Sequence, residues 1–164
     1  GYRDGSTWTR GQAWGIYGFA LAYRYLREPR FLEAAKRLAR YFVTHLPEDY
    51  VAYWDFDVPQ AEGTARDSSA SSIAACGMLE IAEHLSPGDP DREFLLTSAS
   101  RSMASLTERY FTAGNTVEEG FLRRGSYSVR ESIAPDDFVI WGDYFYLEAL
   151  LRLHKGAPGY WYER

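Results

Sequence analysis

The chain has 164 residues, a net charge of −5 and 46% hydrophobic residues, a composition typical of one globular domain. Acidic and basic residues are interspersed without a basic stripe, which argues against a nucleic-acid partner. The apolar runs are much shorter than the ~20 residues of a membrane-spanning helix. The single cysteine, Cys76, excludes an internal disulfide. Aromatic residues make up 16% of the chain, and aromatic rings suit both a core and stacking on sugar rings.

Five stretches have the three- and four-residue spacing of apolar side chains that predicts helices. They lie at about residues 9–27, 31–45, 67–86, 91–111 and 138–154. Pro29 marks the end of the first stretch, Asp67 or Ser68 is a suitable N-cap for the third, and Pro90 precedes the fourth. The glycine-punctuated segment 114–135 predicts short strands or an ordered loop.

The five predicted helices are of two kinds that alternate along the chain. The first, third and fifth carry few charges on any face, whereas the second and fourth have one apolar and one charged face. This alternation predicts an all-α fold of helical hairpins, with inner helices around an axis and outer helices covering them. Five helices would form about half of a ring of six hairpins, and their loops would converge on one mouth.

A group of polar and aromatic residues opens the first helix. Trp8 and Gln12, like Arg10 and Trp14, are four residues apart, so that a cation and two indoles can face one opening. The guanidinium suits a carboxylate, and the indoles suit a sugar ring. From spacing alone, the favoured interpretation is structural: an arginine paired with a buried aspartate, and two core tryptophans.

The other polar clusters have structural explanations as well. Asp55 and Asp57 could share acid–base chemistry, although a loop salt bridge is the simpler interpretation. Asp67 could form a polar rim or simply cap its helix, and Asp143 between aromatics is typical of a hydrogen-bond anchor. Tyr127 lies in a predicted loop, where it could reach a ligand or only the surface. The histidines have no metal-ligand spacing to one another or to the cysteine, so we expect neither a metal nor a cofactor.

Four blocks of the sequence resemble the unsaturated glucuronyl hydrolases, glycoside hydrolase family 88. The blocks are residues 8–18 (WTRGQAWGIYG), 53–57 (YWDFD), 66–70 (RDSSA) and 140–150 (IWGDYFYLEAL). They occur in family order and span nearly the whole chain. The related rhamnogalacturonyl hydrolases are the second choice, because their sequence usually differs after the Arg-Gly of the first block.

The resemblance implies an (α/α)6 barrel, with residues 1–164 as the C-terminal portion of a single glycoside hydrolase domain. It implies that the two catalytic aspartates lie upstream, so no catalytic residue is expected here and the isolated chain should be inactive. Family members remove 4,5-unsaturated glucuronic acid from the non-reducing end of oligosaccharides made by polysaccharide lyases, by hydrating the double bond. By position, the resemblance implies that four residues bind the substrate: Trp8, Arg10, Trp14 and Tyr127. It implies a possible secondary role for four more: Gln12, Asp67, Ser128 and Arg130.

Two other classes of function stay open at this point. One is a non-catalytic sugar-binding or assembly module, and the other is a helical scaffold, which the polar residues at the ends of the inner helices disfavour. We expect an unsaturated uronic-acid oligosaccharide as the ligand and neither a nucleic acid nor a membrane as a partner. Self-association through the surface left by the missing half-barrel and a cytoplasmic location are further expectations. A periplasmic location would require a signal peptide upstream.

Overall fold

The computed structural model describes residues 1–114 and 117–156, and within them the chain forms five α-helices. A π-helical turn, Leu106–Tyr110, extends the fourth helix. Paired extended residues outside the helices form only isolated bridges in this part of the chain. The helices are α1 (Thr9–Leu26), α2 (Pro29–Thr44), α3 (Ser68–Glu83), α4 (Pro90–Ser105) and α5 (Ile140–Lys155). The predicted all-α fold and its five helices are confirmed.

Local sequence explains where the first two helices meet. α1 ends at Leu26, and the next residue, Arg27, adopts a left-handed conformation with φ of 55° and donates its backbone N–H to the carbonyl of Tyr23. Pro29 then opens α2, because the first helical position needs no N–H donor. Pro29 therefore both ends one helix and begins the next, two residues earlier than the apolar spacing predicts for α2.

The predicted inner and outer layers are present, with α3 at the centre. α3 packs against α1 on one side, α5 on the other and α4 behind it. Of its 16 residues, 15 are buried, so α3 has no face toward water. Small side chains (alanine, serine and one glycine) fill most of α3 and let the neighbouring helices approach closely.

One glycine marks the closest approach of α1 and α3. A Cβ atom built on Gly77 would lie 2.7 Å from Cγ2 of Ile16 and 2.9 Å from the backbone N of Tyr17. The second contact is with main chain, which cannot move aside as a side-chain tip can. Gly77 therefore sets the distance between the two inner helices.

Charged side chains join the inner helices near their C-terminal ends. Glu80 of α3 is fully buried, and its carboxylate pairs with Arg24 of α1 at 2.5 Å and with Arg152 of α5 at 3.1 Å. Arg152 also pairs with Glu148 at 2.9 Å, and the Glu148 carboxylate accepts a hydrogen bond from the Tyr17 hydroxyl. Buried charges are tolerated only when they are paired, so this network fixes the three helices relative to one another.

Two carboxylates, Asp55 in a loop and Asp143 in α5, hold segments outside the helices. Asp55 accepts hydrogen bonds from the Tyr2 backbone N–H and the Ser6 hydroxyl, each at 2.8 Å. Asp143 of α5 accepts the backbone N–H groups of Phe121 and Leu122 at 3.1 and 2.9 Å. None of the helices in the described residues is long and apolar enough to cross a membrane.

We predict that Gly77→Ala lowers the free energy of unfolding by about 1–3 kcal/mol, because the added methyl group overpacks the α1–α3 contact. Gly18→Ala is the matched control: Gly18 is an exposed α1 glycine, and a Cβ there meets nothing within 4 Å. Alanine at that position should raise stability by about 0.5–1 kcal/mol. Urea denaturation of the two variants measures both effects, and equal stability would contradict the close approach at Gly77.

Candidate functional site

A cavity of about 480 Å³ opens at the N-terminal ends of α1, α3 and α5. Its lining includes five aromatic side chains, and aromatic rings bind the apolar faces of sugars. Two of these, Trp8 and Trp14, are each 38% exposed, so the interpretation of both as core tryptophans is wrong. The lining residues are Gly1, Trp8, Arg10, Trp14, Trp54, Ser126, Tyr127, Ser128, Val129, Arg130, Glu131 and Trp141.

The Arg10 guanidinium lies in the floor of this cavity between two indole rings. Its central carbon is 4.9 Å from the ring centroid of Trp8 and 5.0 Å from that of Trp141. Nη1 donates to the backbone carbonyl of Ser126, and Nη2 donates to that of Tyr127 at 2.7 Å. Arg10 is only 5% exposed, so this charge is held rigidly and largely out of water.

Asp67 lies directly behind Arg10 and is fully buried. Its Oδ2 is 3.5 Å from Nη1 of Arg10 and accepts no hydrogen bond from any described residue. Burial raises the pKa of the Asp67 carboxyl, which the nearby guanidinium partly offsets. Burial likewise lowers the pKa of Arg10, although an arginine remains protonated at neutral pH. The Arg10 guanidinium and the Asp67 carboxylate thus form a buried charge pair at the floor of the cavity.

Both sequence interpretations of Arg10 therefore describe real contacts. Arg10 pairs with a buried aspartate, Asp67, as the structural interpretation predicts. It also lines the cavity, as a role in ligand binding would require. Asp67 occupies the N-cap position of α3, yet its side chain makes no capping hydrogen bond there. It instead accepts a hydrogen bond from the Ser69 hydroxyl, so the predicted N-cap position of Asp67 is confirmed but its carboxylate does not cap the helix.

Gln12 is not brought to the cavity with its neighbours. Its side-chain amide donates to the backbone carbonyl of Leu38 at 3.0 Å, which places it between α1 and α2. Gln12 is only two residues from Arg10 and from Trp14, a separation that turns it toward another side of the helix. Gln12 therefore joins α1 to α2 through a hydrogen bond and does not line the cavity.

The loop after α4 brings three of the sequence candidates to the cavity wall. Tyr127 is 53% exposed, and its ring centroid lies 5.9 Å from that of Trp141. Ser128 pairs with Ile133 through two backbone hydrogen bonds of 3.0 Å, which closes a short hairpin. Arg130 in that hairpin donates to the Gly1 carbonyl at 3.4 Å. The segment predicted as strands or an ordered loop is, in its described residues, a loop with isolated bridges.

The acidic candidates other than Asp67 are occupied by structural contacts. Asp55 and Asp143 anchor backbone segments, as described above, and Asp143 agrees with the anchor expected from its sequence context. The expected loop salt bridge belongs to Asp57, which pairs with Arg3 at 2.5 Å. Within residues 1–114 and 117–156, no group of three or more His, Cys, Asp or Glu side chains is placed to hold a metal ion.

Sequence reasoning did not assign six of the lining residues to the site: Gly1, Trp54, Ser126, Val129, Glu131 and Trp141. Trp54 and Trp141 stand in the blocks YWDFD and IWGDY, next to the carboxylates that anchor loops, and Glu131 follows Arg130 in the hairpin. The feature of the sequence that could have identified the two tryptophans is an aromatic residue close to an aspartate, in a loop for Trp54 and at the start of a helix for Trp141. Which of these rings share one cavity depends on contacts between distant segments, and spacing does not encode such contacts.

Comparison with known proteins confirms the family resemblance along the whole chain. The chain is 58% identical over 164 residues to the unsaturated glucuronyl hydrolase of Bacillus sp. (strain GL1), covering 100% of the chain and 44% of that protein. It is 41% identical over 161 residues to the unsaturated chondroitin disaccharide hydrolase of Streptococcus pyogenes serotype M1, covering 98% of the chain and 40% of that protein. No model of a protein family matches the chain.

A solved structure gives the same result. A UGL variant with dGlcA-Glc-Rha-Glc superposes with a TM-score of 0.97 at 58% identity, over 100% of this chain and 44% of that one. The fold therefore matches the (α/α)6 barrel of these structural neighbours over that part. The chain spans less than half the length of the curated relatives it matches.

We predict that Arg10→Lys lowers the free energy of unfolding by about 1–3 kcal/mol. Lysine keeps the charge but not the planar fork, so the Ser126 and Tyr127 carbonyls cannot both keep their donors. Arg130→Lys is the control, because exposed Arg130 has only a 3.4 Å contact with Gly1, and its stability should change by less than about 0.5 kcal/mol. Urea denaturation compares the two, and an equally small effect at Arg10 would contradict its role in holding the loop.

Proposed function

We propose that this chain forms the sugar-binding wall of an enzyme that removes 4,5-unsaturated glucuronic acid from the non-reducing end of oligosaccharides. The observation that carries the proposal is the guanidinium of Arg10, held between Trp8 and Trp141 in the floor of an aromatic cavity. A fixed cation surrounded by rings suits a ligand that is both a sugar and a carboxylate. The solved relative with dGlcA-Glc-Rha-Glc supports this class of ligand.

In this proposal Arg10 binds the carboxylate that the unsaturated sugar carries on C5. An arginine has five N–H groups, and those of Arg10 make two hydrogen bonds to backbone carbonyls in the described residues. Because Arg10 lines the cavity, we propose that an N–H group not used by these carbonyls binds the carboxylate of the sugar. Trp14 and Tyr127, both exposed at the cavity, supply faces against which the ring can stack. These contacts fix the ring so that a proton and a water molecule can reach adjacent carbons.

The reaction we propose is hydration of the double bond, as the family resemblance implies. A proton adds to C4, the oxygen of a water molecule adds to C5, and that water gives up one proton, which leaves a neutral hemiketal at C5. The hemiketal opens and releases the neighbouring sugar. Asp55 and Asp143 are occupied by backbone donors, and Asp67 is buried behind Arg10. As the family resemblance implies, we place the proton donor outside residues 1–164, and the chain by itself should bind sugar without turning it over.

The remaining candidates have places in the same proposal. Ser128 and Arg130 lie at the cavity wall, where a hydroxyl and a cation can hold a sulfate group on the second sugar, while Glu131 beside them adds a negative charge. We also propose that residues 1–164 form the C-terminal portion of one (α/α)6 domain. Exposed leucines on α5, Leu147 and Leu151, offer a surface for the hairpins that complete the ring, or for self-association of the chain alone.

The test is a chimera in which residues 1–164 replace the aligned segment of the Bacillus relative. We predict that this chimera hydrolyses an unsaturated glucuronyl disaccharide, measured as the loss of absorbance of the conjugated double bond. The Bacillus enzyme is the positive control, and the isolated 164-residue chain should show no turnover. A folded chimera without activity, or turnover by the isolated chain, would contradict the proposal.

A further inference from the structure

Four side chains at the floor of the cavity form a closed circuit, and two of them, Asp67 and Ser69, have no role in the proposed function so far. The Trp141 indole Nε1–H donates to the Ser69 hydroxyl at 3.2 Å, and that hydroxyl donates to Oδ1 of Asp67. Oδ2 of Asp67 lies 3.5 Å from Nη1 of Arg10, and the guanidinium of Arg10 lies 5.0 Å from the ring of Trp141. The circuit links the first turns of α1, α3 and α5.

The hydroxyl of Ser69 gives the circuit a fixed direction. A serine hydroxyl has one hydrogen to donate, and here it goes to Asp67 while the oxygen accepts from Trp141. Asp67 and Ser69 are fully buried and do not line the cavity, whereas Arg10 and Trp141 do. The two buried residues can therefore influence a ligand only through the two residues that they hold.

From this geometry we infer that Asp67 and Ser69 are positioning residues that give the cavity its preference for a carboxylate over an uncharged sugar. The inference rests on the proposed function and names the groups that set its ligand specificity. The Ser69 hydroxyl fixes the Trp141 ring on one face of the guanidinium and orients the Asp67 carboxylate beside one edge. A guanidinium held in this way loses little conformational freedom when a carboxylate binds.

The test uses the chimera described above and two substrates, an unsaturated glucuronyl disaccharide and the methyl ester of its carboxylate. Ser69→Ala should lower kcat/KM for the carboxylate about tenfold, the size of one lost hydrogen bond, with little change for the ester. The ratio of the two values is the readout, because a general loss of stability would lower both. Ser72→Ala is the matched control: Ser72 is also fully buried in α3, and its hydroxyl contacts only backbone carbonyls, of Ser69 at 3.0 Å and Gly142 at 3.3 Å, and no side chain of the circuit.

Trp141→Phe tests the same hydrogen bond at its donor. Phenylalanine keeps a ring over Arg10 but has no N–H group to donate to Ser69. The variant should lower the same ratio, so the inference stays testable if Ser69→Ala does not fold. An unchanged ratio in the folded variants, or an equal loss with Ser72→Ala, would overturn the positioning role while leaving the proposed function intact. An unaltered chimera that hydrolyses neither substrate would overturn the proposed function and this inference with it.

Discussion

The buried guanidinium of Arg10 is the interaction on which the functional end of the molecule depends. A cation removed from water is tolerated only where acceptors, π faces and a counter-charge surround it. Two backbone carbonyls, two indole rings and Asp67 meet that requirement, and they come from the N-terminal ends of α1, α3 and α5 and from the loop after α4. Solvation of one charge therefore brings four segments together and shapes the cavity.

The inner helices carry charges at both ends and small side chains between them. Near the C-terminal ends, the carboxylate of Glu80 joins Arg24 and Arg152, while Arg10 performs the corresponding role near the N-terminal ends. Between the two, close packing at Gly77 fixes the separation of α1 and α3. Each paired charge restricts how the helices slide and rotate against one another. The aromatic rings that line the cavity therefore keep fixed relative positions.

The helices could be predicted from the sequence because the signals that define them lie within a few residues of one another along the chain. Apolar spacing, Pro29 and Pro90 define most boundaries, and the low charge of α3 predicts its place among the inner helices. The site was recovered only in part. The position of Gln12 depends on which side of α1 meets α2, and the contact of Trp141 with Arg10 joins segments 131 residues apart in sequence. Such long-range contacts arise from packing and leave no spacing pattern in the chain.

The central claim is that Arg10 holds the carboxylate of an unsaturated uronic acid in the aromatic cavity. The most direct measurement is a crystal structure of the 164-residue chain soaked with an unsaturated glucuronyl disaccharide, which the chain should bind without cleaving. Our account predicts a carboxylate oxygen about 2.7–3.0 Å from a guanidinium nitrogen of Arg10, with the sugar ring against Trp14 or Tyr127. A disaccharide bound in this cavity with its carboxylate turned away from Arg10 would contradict the account.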